Sequence, residues 1–195
     1  FAEVSESISL KAFFKRMAFT RAVARLALDG VPEESDLVIR AAKLLQSESN
    51  CQQGADITVD KQLPMGGGLG GGSSNAATVL VALNELWRLG FSVDRLAALG
   101  LSLGADVPVF VRGQTAFAEG VGEMLEPITI AETAIAIVTP DCAVDTGRVF
   151  SAADLTRDTP PLKMHAFSPT HSHNDCEAVT RRLYPVVGEA LDWLA

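Results

Sequence analysis

"KQLPMGGGLGGGSSNAATVLVALNELW", Lys61 to Trp87, is the stretch on which the reading of this chain turns. Six glycines fill the seven positions from Gly66 to Gly72, and two serines and a long apolar-periodic run follow. Upstream, "ADITVDKQLP" alternates Ile57 and Val59 with Thr58 and Asp60 and stops at Pro64, which is the pattern of a strand. Downstream, Ala76, Val79, Leu80, Leu83 and Trp87 recur at helical spacing, with Gly90 placed as a C-terminal stop. The glycines therefore join a strand directly to a helix. That context excludes the interdomain spacer that glycine richness alone would suggest.

Two familiar phosphate-binding patterns fail on the same stretch. Gly66-x-Gly68-x-x-Gly71 matches the dinucleotide fingerprint, but so many glycines produce such a match almost automatically. That fold also needs a strand ending in an acidic residue about 20 residues on, where this chain has the helical "LNELWRLG". The Walker loop needs a lysine after its GxxxxG spacing; Gly67 to Gly72 supplies the spacing and Ser73 stands in the lysine's place. What remains is a physical device. Glycine admits positive φ and lets backbone N–H groups approach a ligand closely. A helix N-terminus adds unpaired donors and roughly half a positive charge, and Ser73 and Ser74 add hydroxyls.

Such a cradle suits the rest of the chain. With 195 residues and a net charge of −8, there is no general positive field for nucleic acid, so an anionic ligand needs a local holder. The 48% hydrophobic and 21% charged content is that of a folded protein. No apolar run reaches the roughly 18 residues of a membrane span. "FAEVSESISLKAFF" lacks the ordered parts of a signal peptide. Cys51, Cys142 and Cys176 are an odd, sparse set without CxxC, which argues against a disulfide framework and for a reducing cytoplasm.

Elsewhere, "ESISL" (6–10) reads as a strand, and the basic, apolar stretch from Lys11 to Asp29 as either an amphipathic helix or two strands. Pro32, Glu33 and Glu34 open a helix whose stripe is Leu37, Ala41, Leu44 and Leu45. Ser92 caps another. "ADVPVFVRG" reads as a tight loop into a strand, "QTAFAEGVGE" as strand and turn, and "AIAIVTP" (134–140) as a buried strand. A helix is expected around "DTGRVFSAADL", a Pro/His/Ser-rich loop from Thr156 to His173, and a last helix broken at Pro185. "HSHNDCE" gathers His171, His173, Asp175 and Cys176 without a standard metal-ligand spacing, so a polar loop is expected there and no metal site.

"PMGGGLGGGSSNAA" resembles the central P-x-x-x-G-L-G-S/G-S-S motif of the GHMP small-molecule kinases. With "LGADVPVFVRGQTAFAEGVGEMLEPI" the likeness extends to the branch that phosphorylates a cytidyl-diphosphate sugar alcohol on the non-mevalonate isoprenoid route. It is dense from Asp36 to Pro127 and patchy beyond. It implies an α+β, two-domain GHMP kinase fold: a ribosomal protein S5 domain 2-like ATP-binding domain over 1–128 and the start of a ferredoxin-like domain over 129–195. Lys61, Pro64, Met65, Gly66, Gly67, Gly68, Leu69, Gly70, Gly71, Gly72, Ser73 and Ser74 would bind ATP, with Mg²⁺ carried by the nucleotide and Ser73 near it. Asp106 would be the catalytic aspartate, for which a helix cap or turn is the plainer alternative. Thr146 and Phe150 would contact the substrate, the ring stacking on cytosine, unless Phe150 is ordinary core. Gly147 stands where the family often has proline.

Three family features are missing. The N-terminal Pro-x-Lys-x-Asn, whose lysine partners the aspartate, is absent, as are the His-bearing segment that reads cytosine and the C-terminal glycine motif. Asp36-Leu37 stands where an Asn-Leu approaches adenine. With Phe1 in place of Met, these departures predict a fragment truncated at both ends that binds nucleotide poorly and has little kinase activity of its own.

Overall fold

Asp36 starts the first long helix, and it does so with its own carboxylate. Its Oδ1 accepts from the Val38 N–H at 2.8 Å, satisfying one of the orphan donors of a helix start, so α1 runs Leu37–Ser49. The computed structural model describes residues 17–20, 32–60, 68–130, 134, 137–160 and 173–194. Pro32 to Glu34, expected to open α1, instead lead into a 3-10 turn at Glu33–Ser35. The buried face of α1 is Val38, Ile39, Ala41 and Leu45; Leu37 and Leu44 lie half-buried at its margin.

Strand β1, Met17–Thr20, pairs antiparallel with β2, Asp56–Val59, in the register Met17↔Val59 to Thr20↔Asp56. Of the two alternatives for Lys11 to Asp29, a strand is present over 17–20. The "ESISL" segment lies outside the described residues. As expected, β2 directly precedes the glycine stretch, and Ile57 is buried.

The helix after the glycines, α2, runs Gly71–Leu86 and is buried on most of its circumference, with Val79, Leu80 and Leu83 fully enclosed. It packs against α1 and the later α4 (Val107–Arg112), which makes it the centre of the core. A helix apolar on nearly every side has to sit inside its domain. Its stop is not Gly90. Trp87 is the cap residue, Arg88 follows at φ +55°, and the Arg88 and Leu89 N–H groups return to the Glu85 and Asn84 carbonyls at 3.1 and 3.0 Å. That is a Schellman closure with a non-glycine in the left-handed position. Asn84, buried, then exchanges two bonds with the Phe91 backbone at 2.9 and 3.2 Å, and the Trp87 indole N–H donates to the Gly54 carbonyl at 3.3 Å.

Ser92 caps α3, Val93–Leu101, through a bond from the Arg95 N–H at 3.2 Å, as the sequence predicts. "VPVFV" is the helix α4, Val107–Arg112, and not a strand. The β-branched alternation imitates a strand, but Pro108 lies in the first turn, where its fixed φ favours a helix, and Gly113 closes α4 at φ +62°. A Cβ on Gly100 of α3 would stand 2.7 Å from a Val107 methyl, so α3 and α4 meet at a position only glycine fits. β3 (Ala116–Glu119) and β4 (Met124–Pro127) then form an antiparallel hairpin, Ala116↔Pro127 to Glu119↔Met124.

The described residues divide into two compact units, 17–130 and 134–194. In the second, "AIAIVTP" is not a buried strand where it is described: Ile137 and Val138 are more than a third exposed and extended pairing is lacking. A strand needs a ladder partner for its backbone groups, and the described part of this unit has only helices to offer. These are α5 (Thr146–Phe150), α6 (Cys176–Leu183) and α7 (Pro185–Leu194), the last two separated at Tyr184 by Pro185 as expected.

Candidate functional site

Gly70 occupies the cap position of α2 at φ +64°, ψ 14°, and Gly68 before it is also left-handed, at φ +69°. The first helical bond runs from the Ser74 N–H to the Gly70 carbonyl at 2.8 Å. Gly70 has no side chain with which to cap, and the first turn holds no acidic residue, so the helix does not offset its positive end with a carboxylate of its own. Ser73 and Ser74 are half-buried in that turn; Gly68, Leu69 and Gly72 are exposed.

Two contacts bring Asp106 to this helix start. A Cβ built on Gly104 would lie 4.0 Å from Ser73 Oγ, so Gly104, two residues before Asp106, borders the first turn of α2. One turn further along α4, the Phe110 ring is so close to Gly70 that a Cβ there would stand 2.8 Å from it. Residues four apart share a helix face, so Phe110 and Asp106 address the same side of α4. Asp106 takes the cap position with helical backbone angles (φ −82°, ψ −15°), yet its side chain makes no cap hydrogen bond and is exposed. Asp106 thus stands where the plainer alternative put it, at a helix cap, without a side-chain cap bond.

A Cβ on Gly72 would approach Leu37 Cδ1 to 3.3 Å, so the start of α1 also borders the glycines. Asp36, where the family has an asparagine near adenine, is 6% exposed and committed to capping α1. One polar group went unsuspected in the sequence. Asn75, 3% exposed and next to the two serines, has an Oδ1 without a hydrogen-bond partner among the described residues. A buried acceptor left unpaired costs about 1–3 kcal/mol. The available signal was an asparagine leading an otherwise apolar helix.

Lys61, Pro64, Met65, Gly66 and Gly67 lie outside the described residues, as does His171. Thr146 and Phe150 stand on α5 of the second unit, four residues apart and on one face. Phe150 is 63% exposed, which removes the core-packing alternative. Asp145 caps this short helix through the Arg148 N–H at 3.1 Å, and the Tyr184 hydroxyl accepts from the Asp145 N–H at 3.0 Å. Arg157 holds the other end by donating to the Phe150 and Ala152 carbonyls at 2.7 and 3.1 Å.

His173 and Asp175 form an ion-pair geometry at 2.8 Å, and the Thr159 hydroxyl donates to the same carboxylate at 2.8 Å. The Thr159 bond, then the His173 bond, hold the Asp175 carboxyl below the ordinary carboxylate range. Among the described residues no cluster of three or more His, Cys, Asp or Glu could hold a metal.

Comparison with known proteins gives the class to which this glycine-capped helix start belongs. The chain belongs to the GHMP kinase family: the model for the GHMP kinases N terminal domain matches residues 36–114. More particularly, it is 58% identical over 166 residues to the 4-diphosphocytidyl-2-C-methyl-D-erythritol kinase of Pseudomonas fluorescens (strain Pf0-1), covering 85% of this chain and 59% of that protein. The kinase of the same name from Nitrosococcus oceani (strain ATCC 19707) is 56% identical over 168 residues, 86% of this chain and 60% of the other. A crystal structure of 4-(cytidine 5'-diphospho)-2C-methyl-D-erythritol kinase superposes with a TM-score of 0.70 at 31% identity, over 90% of this chain and 67% of that one. The chain thus spans about three fifths of the length of the curated relatives it matches. The expected mixed α+β kinase fold stands on the same comparisons.

Proposed function

We propose that this chain carries the phosphoryl-transfer centre of a kinase that moves the γ-phosphoryl group of ATP to a hydroxyl of 4-diphosphocytidyl-2-C-methyl-D-erythritol, a step of the non-mevalonate isoprenoid route. The single observation behind this is the Asp106 side chain, which makes no cap hydrogen bond, two residues after the Gly104 that borders Ser73 in the first turn of α2. The names of the relatives supply the substrate.

In this scheme the α2 backbone donors and the Ser73 and Ser74 hydroxyls take the phosphate oxygens, with 64–72 wrapped round them and Lys61 at the nucleotide side. Phosphoryl transfer depends on positioning and charge stabilisation more than on covalent help. The acceptor hydroxyl attacks the γ-phosphorus, the bond to the bridging oxygen breaks, and ADP leaves. Asp106 orients that hydroxyl and takes its proton. Ser73 and Asp106 offer hard oxygen donors of the kind Mg²⁺ prefers. Mg²⁺ bound with the nucleotide would neutralise charge developing on the phosphates. Thr146 and the exposed Phe150 ring suit the cytidyl end of the substrate. ATP and the sugar alcohol are the partners of this scheme; it involves neither nucleic acid nor a membrane surface, and we place it in the cytoplasm. No described helix is long and apolar enough to cross a membrane.

A second function is nucleotide binding without turnover, which the glycine-capped start of α2 would support by itself. Calorimetric titration with a Mg-ATP analogue and with the cytidyl substrate separates the alternatives. It is done on this chain and on the chain extended to its relatives' length. Binding of both ligands by the extended protein supports the kinase; NADH binding in their place overturns it.

A further inference from the structure

Asp106 makes no cap hydrogen bond in its own helix. What fixes the peptide before it comes from elsewhere in the chain. Gly122, in the turn between β3 and β4, has φ +111°, a conformation that residues with a Cβ rarely adopt. A Cβ there would stand 2.8 Å from the Ala105 carbonyl oxygen and 3.4 Å from its carbonyl carbon. The turn backbone thus lies directly against the peptide that joins Ala105 to Asp106.

The turn is itself well held. The Gly122 N–H donates to the Glu119 carbonyl at 3.1 Å, and the Glu123 carboxylate accepts from the Val121 N–H at 2.8 Å. On the far side of the aspartate, the Val107 N–H donates to the Gly104 carbonyl at 3.1 Å. The Ala105–Asp106 segment, itself exposed, has the hairpin turn against Ala105, and the Gly104 before it borders the Ser73 hydroxyl of α2.

We propose that Gly122 is a positioning residue for Asp106: the β3–β4 turn braces the Ala105–Asp106 peptide and so sets the placement of the carboxylate relative to the glycine-capped helix. This rests on the phosphoryl-transfer function proposed above. Misplacing a reacting group by about 1 Å costs on the order of 10²-fold in rate, so the brace acts on kcat and leaves the nucleotide cradle alone.

Gly120 supplies the control. It lies in the same turn at φ +70°, and the three atoms nearest an added Cβ belong to the Glu123 carboxylate, which would shift from Val121, and not to the Ala105 peptide. Gly120→Ala and Gly122→Ala, made in the protein at its relatives' length, should both lower Tm. Only Gly122→Ala should lower kcat, by about tenfold or more, with KM for ATP unchanged. Only it should accelerate hydrogen exchange at the Val107 amide. Asp106-dependent transfer with equal kcat in the two variants, or equal Val107 exchange, overturns the brace alone. Transfer indifferent to Asp106→Asn overturns the kinase assignment and the catalytic role of the brace with it.

Discussion

Replacing Gly70 with alanine perturbs the cradle at one atom, and its cost can be worked from the coordinates. At φ +64° an L residue is disfavoured by about 1–2 kcal/mol. The new Cβ would also sit 2.8 and 2.9 Å from two Phe110 ring carbons, where carbon pairs prefer about 3.5–4 Å. Forcing the ring back by most of an ångström belongs with overpacking, about 1–3 kcal/mol. Because Phe110 is 39% exposed it can partly swing away, which favours the lower end and a total of about 2–3 kcal/mol. Gly68→Ala isolates the backbone part: its φ is +69° and nothing lies within 4 Å of its Cβ, so it should cost about 1 kcal/mol. Phe110→Leu added to Gly70→Ala should recover the steric part, a non-additivity of about 1 kcal/mol. Urea melts followed by Trp87 fluorescence, in a Trp193→Phe background, read the first unit alone. The reasoning is refuted if Gly70→Ala is no more destabilising than Gly68→Ala, or if Phe110→Leu recovers nothing.

Other consequences follow from the same geometry. Arg88 holds the left-handed position of the Schellman closure at φ +55°, so Arg88→Gly should stabilise by up to about 1 kcal/mol, read as a higher urea midpoint. Asn75→Ala removes a buried acceptor that has no described partner, so Tm should stay nearly level while affinity for a Mg-ATP analogue falls; a large fall in Tm with unchanged affinity would contradict that. In the second unit, hydrogen bonding from Arg182 holds the Asp154 carboxyl below its ordinary range, and Thr159 and His173 do the same for Asp175. Depressed carboxylates stabilise above their unfolded pKa and lose that contribution as pH falls through the folded value. The stability of this unit should therefore fall as pH drops below about 4, and Arg182→Gln should flatten that dependence.

The strand, glycine turn and helix were legible because three local signals agree: alternation up to Val59, glycines where φ turns positive, and a 3.6-residue apolar repeat from Ala76 to Trp87. Where signals conflicted, the sequence misled. "VPVFV" alternates like a strand, but Pro108 in the first turn and Gly113 at the end belong to a helix, and packing against Gly100 decides the matter. "AIAIVTP" has strand composition, which does not create a partner strand. Helix ends were visible only to within a few residues, since Asp36 and Arg88 do work that Pro32 and Gly90 were expected to do. Asp106 could be singled out only through the motif around it, because the absence of a cap bond is a fact of geometry. Asn75 and Gly122 depend on burial and on contacts between distant segments, which no local pattern encodes.

The central claim is that Asp106, two residues after the Gly104 that borders the glycine-capped start of α2, directs a hydroxyl to the γ-phosphoryl group of ATP. Transfer of labelled γ-phosphate to 4-diphosphocytidyl-2-C-methyl-D-erythritol should be measured for the protein at its relatives' length, beside its Asp106→Asn variant, with Mg-ATP analogue affinity measured on both. The account predicts transfer by the first, a loss of about 10²-fold or more in kcat for the second, and equal nucleotide affinity. Equal turnover by both, or no transfer from a protein that binds both ligands, would contradict it.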